Sequence, residues 1–219
     1  MNKAERLAAA MEKAALMRSN ELKSAADAGA DISYICGIDE VGRGPLAGPV
    51  AAGAVIFPAD AVIPPVNDSK KLSAARRAAL YDEIDRAALC WAVAFVSPER
   101  IDEINILQAT LEAMRKAIGL LPVRPTFLIV DALTIPGVDI AQCGPVRADE
   151  NYASTAAASI MAKVTRDRYV ESLDAVYPGY GFASNKGYGT AEHINAIRTR
   201  GVLPVHRRSF IEGIVYEKE

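Results

Sequence analysis

Hydrophobic positions fall into two textures along the 219-residue chain. Short unbroken apolar runs bounded by Gly, Pro or charged residues read as strands, and longer stretches with apolar residues three or four apart read as helices. The first helix covers residues 3–28, with Leu7, Met11, Ala14 and Ala15 at helical spacing, and Gly29 and Asp31 punctuate it. The first strand is Tyr34–Val41 (YICGIDEV), stopped by the glycines of GRGPLAG. A second strand, Val50–Phe57, is bounded by Pro49 and Pro58, as in a tight hairpin or meander. A Pro-rich loop with Pro64 and Pro65 carries NDSKKLS, in which Ser73 caps a helix ending near Ala88. Cys90–Val96 (CWAVAFV) has the continuous apolar pattern of a strand buried on both faces. Ser97 and Pro98 open another helix, which runs with a break near Asn105 to Leu121. Phe127–Val130 (FLIV) is a buried strand ending at Asp131, and a short strand lies near 143–148. A long helix from about Ser154 to Tyr177, the loop YPGYGFASNKGYG and a helix Thr190–Arg200 complete the pattern, before a basic, aromatic tail, HRRSF. Strands and helices interleave, so the expected fold class is α/β, one central sheet with helices on its faces.

Composition narrows this little but excludes much. The chain is 51% hydrophobic, which excludes disorder, although 39 alanines inflate the figure and favour helix. Three cysteines exclude a disulfide scaffold. No apolar run approaches the roughly 20 residues of a membrane helix. The opening stretch mixes both charge signs with Ala and Leu and lacks the apolar block of a signal peptide. A cytoplasmic protein without membrane partners is expected, with a monomer as the default. The formal charge is −2, yet residues 147–208 carry nine Lys or Arg against six Asp or Glu. So mild a basic tilt neither requires nor excludes a nucleic-acid partner.

The chemistry-bearing residues cluster at strand ends. The first strand ends in Asp39 and Glu40, the strand FLIV in Asp131, and Asp149 follows eighteen positions later. One such carboxylate is usually a loop cap or a partner of Arg, because an uncompensated buried acid is costly. Four from separate stretches suggest convergence, if the two strands are neighbours and Asp149 approaches from the next helix. Glu40 joins only if the strand bends, since adjacent strand residues face opposite sides. An all-oxygen cluster suits Mg or Mn, and two such ions suit displacement at a phosphodiester. GRGPLAG is either a structural turn or a close backbone approach to sugar or phosphate beside Arg43. Lys70 and Lys71 are either a solvated charge run or phosphate contacts. Ser159, Lys163 and Arg166 recur on one helix face as a possible phosphate track, with a solvated face as the alternative. Tyr180, Phe182, Lys186 and Tyr188 interleave aromatic and basic groups, as in nucleic-acid contacts, or simply pack. His193, His206, Cys36, Cys90 and Cys143 form no metal box and read as structural.

Together the stretches CGIDEVGRGPLAGPVAAGAVI, NDSKKLS, FLIVDAL, ADENYASTAAASIMAKVTRDR, YGFASNKGYGT and HRRSF resemble, in this order, bacterial ribonuclease HII, the type 2 ribonuclease H family. The resemblance spans about Ile35 to Phe210. It implies a ribonuclease H-like fold, a central mixed sheet flanked by helices, over residues 34–219, behind an N-terminal helical extension, 1–33. It implies a Mg- or Mn-dependent endonuclease acting 5′ of ribonucleotides embedded in duplex DNA and on RNA–DNA hybrids, leaving 3′-hydroxyl and 5′-phosphate ends. Its four carboxylates fall on Asp39, Glu40, Asp131 and Asp149. Its ribose-reading backbone falls on Gly42, Arg43 and Gly44, and its deoxyribose-stacking tyrosine on Tyr188. Phosphate contacts fall on Ser69, Lys70, Lys163 and Thr165, with Arg166 and Lys186 beside them. The family usually has Lys before the residue preceding the fourth carboxylate, and here Arg147 stands there. A DNA-branch nuclease of the same fold and a non-catalytic hybrid-binding module are the competing readings.

Overall fold

Seven buried residues in a row, VAAGAVI, make Val50–Ile56 the inner spine of the sheet. The computed structural model describes residues 2–215. Its five strands are β1 (Ile35–Val41), β2 (Val50–Ile56), β3 (Cys90–Val96), β4 (Phe127–Val130) and β5 (Gln142–Cys143), in the spatial order β3-β2-β1-β4-β5. β2 runs antiparallel to both β1 and β3, whereas β4 runs parallel to β1 and to β5. The sheet is therefore mixed. Register pairs Ile38 with Val130, so Asp39, within β1, stands beside Asp131, the residue just past β4.

β3 corrects the sequence reading. It is the edge strand, and its residues alternate between buried and half-buried. Ala94 and Val96 pack on one face, while Trp91 and Val93 lean on the other against helices that cover them only partly. The strand at 143–148 is likewise shorter than expected, because the chain turns into a helix at Ala148.

Alternation divides the core in two. Cys36, Ile38, Ala52, Ala54 and Ile56 face α3 (Pro98–Leu120). Val55 and Phe57 face α1 (Lys3–Asp27), α2 (Ala74–Ala87) and α5 (Ala153–Val176). α3 breaks at Asn105, at φ 68°, and its second half restarts with the Asn105 carboxamide accepting from the Leu107 and Gln108 amides. α5 presses directly on the sheet. A Cβ on Gly37 would lie 2.1 Å from the Ser154 and Thr155 backbone, and one on Gly53 2.4 Å from the Ala158 carbonyl oxygen. Side-chain-free positions in the strands and alanines in the helix thus fix its height.

Beyond α5, the one-turn α6 (Phe182–Asn185), α7 (Ala191–Arg200) and α8 (Arg208–Val215) pack around Val170, Tyr180 and Phe182. The tail HRRSF passes from the His206 bridge to Ala47 into the start of α8. α1 contributes Ala14 and Met17 to the core under α5. Among the described residues no helix is long and apolar enough to cross a membrane.

Candidate active site

Asp39 and Asp131 stand side by side because the β1–β4 ladder runs one step past β4, the Asp131 amide donating to the Ile38 carbonyl at 3.1 Å. Asp39 shares parity with the α5 side of β1, where the Ser159 hydroxyl of α5 lowers its proton affinity. Its Oδ1 accepts from the Glu40 amide at 2.8 Å. Asp131 Oδ1 accepts from the Ala148 amide at 2.7 Å. That bond ties the end of β4 to the one-turn α4 (Ala148–Asn151), whose second residue is Asp149. Arg147 adopts a left-handed conformation at φ 59° to start this turn. Three of the four carboxylates thus reach one sheet corner by strand pairing and one hydrogen bond.

Glu40 arrives differently. β1 keeps its ladder through Val41, so no bend occurs within the strand, and the chain turns only at Gly42, φ 86°. Glu40 keeps the parity of Ile38 and pairs with Arg43 at 3.6 Å, yet remains in the field of Asp131.

The electrostatics describe a site short of positive charge. Burial pushes the Asp39 carboxyl well above its usual range, and Glu40, Asp131 and Asp149 add to it. Burial likewise raises Glu40, opposed by Arg43 and Lys70, and raises Asp149, where Asp131 and Asp68 add and Lys70 opposes. Burial disfavours the Lys70 ammonium, but the summed fields of Asp149, Asp39, Asp68 and Asp131 outweigh it and hold the proton more tightly. Among the described residues no three His, Cys, Asp or Glu side chains are drawn in closely enough to hold a metal as they stand. The donor chemistry nonetheless fits a hard divalent cation: four carboxylates, all oxygen, with Asp39, Glu40 and Asp149 held above their usual range.

Next to this corner the 42–49 loop meets the 186–188 loop. The Leu46 and Ala47 amides both donate to the Gly187 carbonyl, at 2.8 and 3.2 Å, and a Cβ on Gly187 would lie 2.4 Å from the Ala47 oxygen. Arg43 and Gly44 are exposed at the tip. Tyr188 is 40% exposed, with Lys163 Nζ 5.7 Å from its ring centroid.

The predicted phosphate contacts separate into groups. Lys70 faces the carboxylates, while Ser69 is buried, its hydroxyl 2.8 Å from that of Ser159. Lys163 is half-buried and ion-paired with Asp167 at 2.9 Å. One expectation needs correction, that for Arg166. Arg166 is not on an open track but fully buried, its guanidinium donating to the carbonyls of Lys186 (2.7 Å), Ala47 (3.2 Å) and Pro49 (3.4 Å). The 42–49 loop folds over it. Lys186 spends its ammonium on Glu171 at 2.8 Å. The Thr165 hydroxyl is sealed from solvent and has no partner among the described residues.

Sequence reasoning missed Arg207, whose guanidinium holds the Gly42, Arg43 and Gly48 carbonyls, and the His193–His206 contact at 3.1 Å. It also missed Glu21, bonded to the amide and hydroxyl of Ser154 at the start of α5. The adjacent arginines of HRRSF carried the only sign of the first, and nothing in the sequence distinguishes the buried Arg207 from the exposed Arg208.

The sequence profile of the ribonuclease HII family matches residues 36–213, which hold all four carboxylates, the Gly-Arg-Gly turn and Tyr188. The chain belongs to the ribonuclease HII family. It is an endonuclease of the type 2 ribonuclease H class, with the α/β fold the resemblance implied. A ribonuclease HII of Lachnoclostridium phytofermentans is 58% identical over 184 residues, covering 84% of this chain and 72% of that protein. One of Clostridioides difficile is 55% identical over 182 residues, covering 83% and 71%. The crystal structure of ribonuclease H2 from Pyrococcus horikoshii superposes with a TM-score of 0.69 at 26% identity, covering 85% of this chain and all of that one.

Proposed function

We propose that this family member hydrolyses the phosphodiester on the 5′ side of a ribonucleotide embedded in duplex DNA, and the RNA strand of RNA–DNA hybrids, leaving 3′-hydroxyl and 5′-phosphate ends. The observation that carries this reading is the convergence of Asp39, Asp131 and Asp149 at one sheet corner, beside the turn Gly42–Arg43–Gly44 with Arg43 and Gly44 exposed. Asp39, Glu40, Asp131 and Asp149 would hold Mg or Mn. Bound there, such ions supply water activation and stabilise the leaving oxygen.

The chain's own groups do the rest. Lys70, already in the carboxylate field, meets a substrate phosphate at the edge of the corner. Lys163 lies beside Tyr188, so the half-open ring is placed to stack on a sugar while the ammonium follows the backbone. Arg43 and Gly44 meet the ribose. Ser69 and Ser159 act behind the site, bonding each other and steadying Asp39. Cys36, Cys90 and Cys143 are free thiols, which supports a reducing compartment, the cytoplasm.

The test is incubation with duplex DNA carrying one ribonucleotide, an all-DNA branched junction and a long hybrid, in Mg, Mn or chelator, followed by end-group analysis. Cleavage 5′ of the ribonucleotide, dependent on the cation and leaving 3′-hydroxyl, is expected. Cleavage of the all-DNA junction instead, or metal-independent binding without cleavage, overturns the reading.

A further inference from the structure

Two guanidiniums lie buried under the 42–49 loop, and backbone carbonyls take up their donors. Arg166 serves Pro49, Ala47 and Lys186. Arg207, fully buried, donates from Nε to the Gly48 carbonyl at 3.0 Å and from its two Nη atoms to Arg43 at 2.8 Å and Gly42 at 2.6 Å. Burial, with the neighbouring Arg166 charge, brings the Arg207 guanidinium down to about 9. A buried cation is costly unless its donors are engaged, and here the loop's own oxygens engage them.

The consequence follows from peptide geometry. No cis peptide occurs among the described residues, and in a planar trans unit the carbonyl and the next residue's amide point in opposite directions. Arg207 draws the Gly42 and Arg43 carbonyls inward. The Arg43 and Gly44 amides must then face outward, where they have no acceptor among the described residues and where both residues are exposed. Two outward donors on a turn beside the carboxylate corner suit a hydroxyl oxygen.

The preceding residue reaches the other substrate-facing loop. The Leu203 amide donates to His206 Nδ1 at 2.8 Å, so the His206 proton sits on Nε2. It goes to His193 Nε2 at 3.1 Å, and His193 Nδ1–H then reaches the Tyr188 carbonyl at 2.8 Å. Residues 206 and 207 therefore hold Tyr188 and the 42–44 turn from one point, itself fixed by the Arg207 amide on the Leu46 carbonyl at 2.9 Å.

We propose that Arg207 is a positioning residue for ribonucleotide discrimination, aiming the Arg43 and Gly44 amides at the 2′-hydroxyl by holding the carbonyls behind them. It acts so only if the 42–44 turn reads a ribose, as proposed above. Lysine cannot replace it, because one ammonium on a flexible stem lacks the planar fork that serves three carbonyls at once.

The test measures binding in calcium, to suppress cleavage, of duplex DNA with one ribonucleotide and of the same all-DNA duplex. Wild type should favour the ribonucleotide duplex, and Arg207→Lys should cut the ratio of the two dissociation constants about fivefold to tenfold, as for loss of one or two hydrogen bonds. Arg208→Lys, one residue on and exposed, should keep the ratio. An unchanged ratio in folded Arg207→Lys, or parallel weakening on both duplexes, overturns the positioning role. A wild-type ratio of one overturns the ribose reading beneath it. Should Arg207→Lys not fold, amide exchange in wild type decides. The Arg43 and Gly44 amides should exchange fast in the free protein and slow with the ribonucleotide duplex alone. Slow exchange in the free protein, or equal protection by both duplexes, refutes the outward orientation.

Discussion

Two carboxylates are buried against α5, and the protein treats them in opposite ways. Glu21 of α1 is 0% exposed and fully engaged: the Ser154 amide and hydroxyl donate to one oxygen, and Arg18 pairs with the other at 2.8 Å. Burial raises its proton affinity, and Ser154 and Arg18 oppose that. Since Tyr152 gives α5 no side-chain cap, Glu21 caps the helix from a segment 133 residues away. Asp39, facing the same helix two turns in, also accepts a hydrogen bond, but Glu40, Asp131 and Asp149 surround it, with the exposed Lys70 as the opposing cation. The first carboxylate holds the fold together. The second belongs to a group of acids whose repulsion Lys70 and Arg43 offset only in part, and a phosphodiester, itself negative, would deepen the deficit unless divalent cations came with it.

The comparison breaks first at Asp39. Asp39→Asn should lower single-turnover cleavage by at least about a hundredfold, the loss of several kcal/mol of transition-state stabilisation. Its thermal midpoint should hold or rise, because a buried repelling charge is gone. Glu21→Ala should do the reverse. It leaves Arg18 buried without its partner and uncaps α5, a cost of about 3–5 kcal/mol in urea unfolding, while the folded molecules continue to cleave. Reversed roles in those two variants would dissolve the distinction.

The clamp histidines sharpen the comparison most gently. Burial, with the neighbouring His193, holds His206 down at about 4, below the ordinary value near 6.5. The folded state favours the neutral ring, so its contribution is complete above pH 6.5 and is lost as pH falls toward 4. The unfolded chain takes up the proton first. Urea unfolding at pH 7 and pH 5 should show about 1–2 kcal/mol lost in wild type beyond that lost by His206→Asn. Parallel curves for the two proteins would mean that the His206–His193 bond does not need the neutral state.

Much of this was legible from the sequence, and the failures have physical reasons. Asp131 could be placed at a strand end because FLIV is an unbroken apolar run, whereas Asp39, also read as a strand end, lies within β1, which continues to Val41; the Asn105 break and Ser97 cap could be read as local chemistry. Strand order could not, so their adjacency waited on the parallel pairing of β1 and β4. CWAVAFV looked doubly buried because an edge strand half-covered by α2 and α5 uses the same residues as an inner one. Arg166 shares a helix face with Lys163 and so looked solvent-facing, but its partners are backbone carbonyls of a loop more than a hundred residues earlier, and carbonyls leave no trace in a sequence. Glu21 was hidden the same way, an acid in an alanine-rich helix whose partner is a distant serine.

The central claim is that the carboxylate corner is built to be completed by a divalent cation. Thermal unfolding with and without millimolar manganese tests it without substrate. Wild type should gain several degrees, by preferential binding to the folded state, and Asp39→Asn should gain much less. No shift in wild type, or the same shift in both proteins, would contradict it.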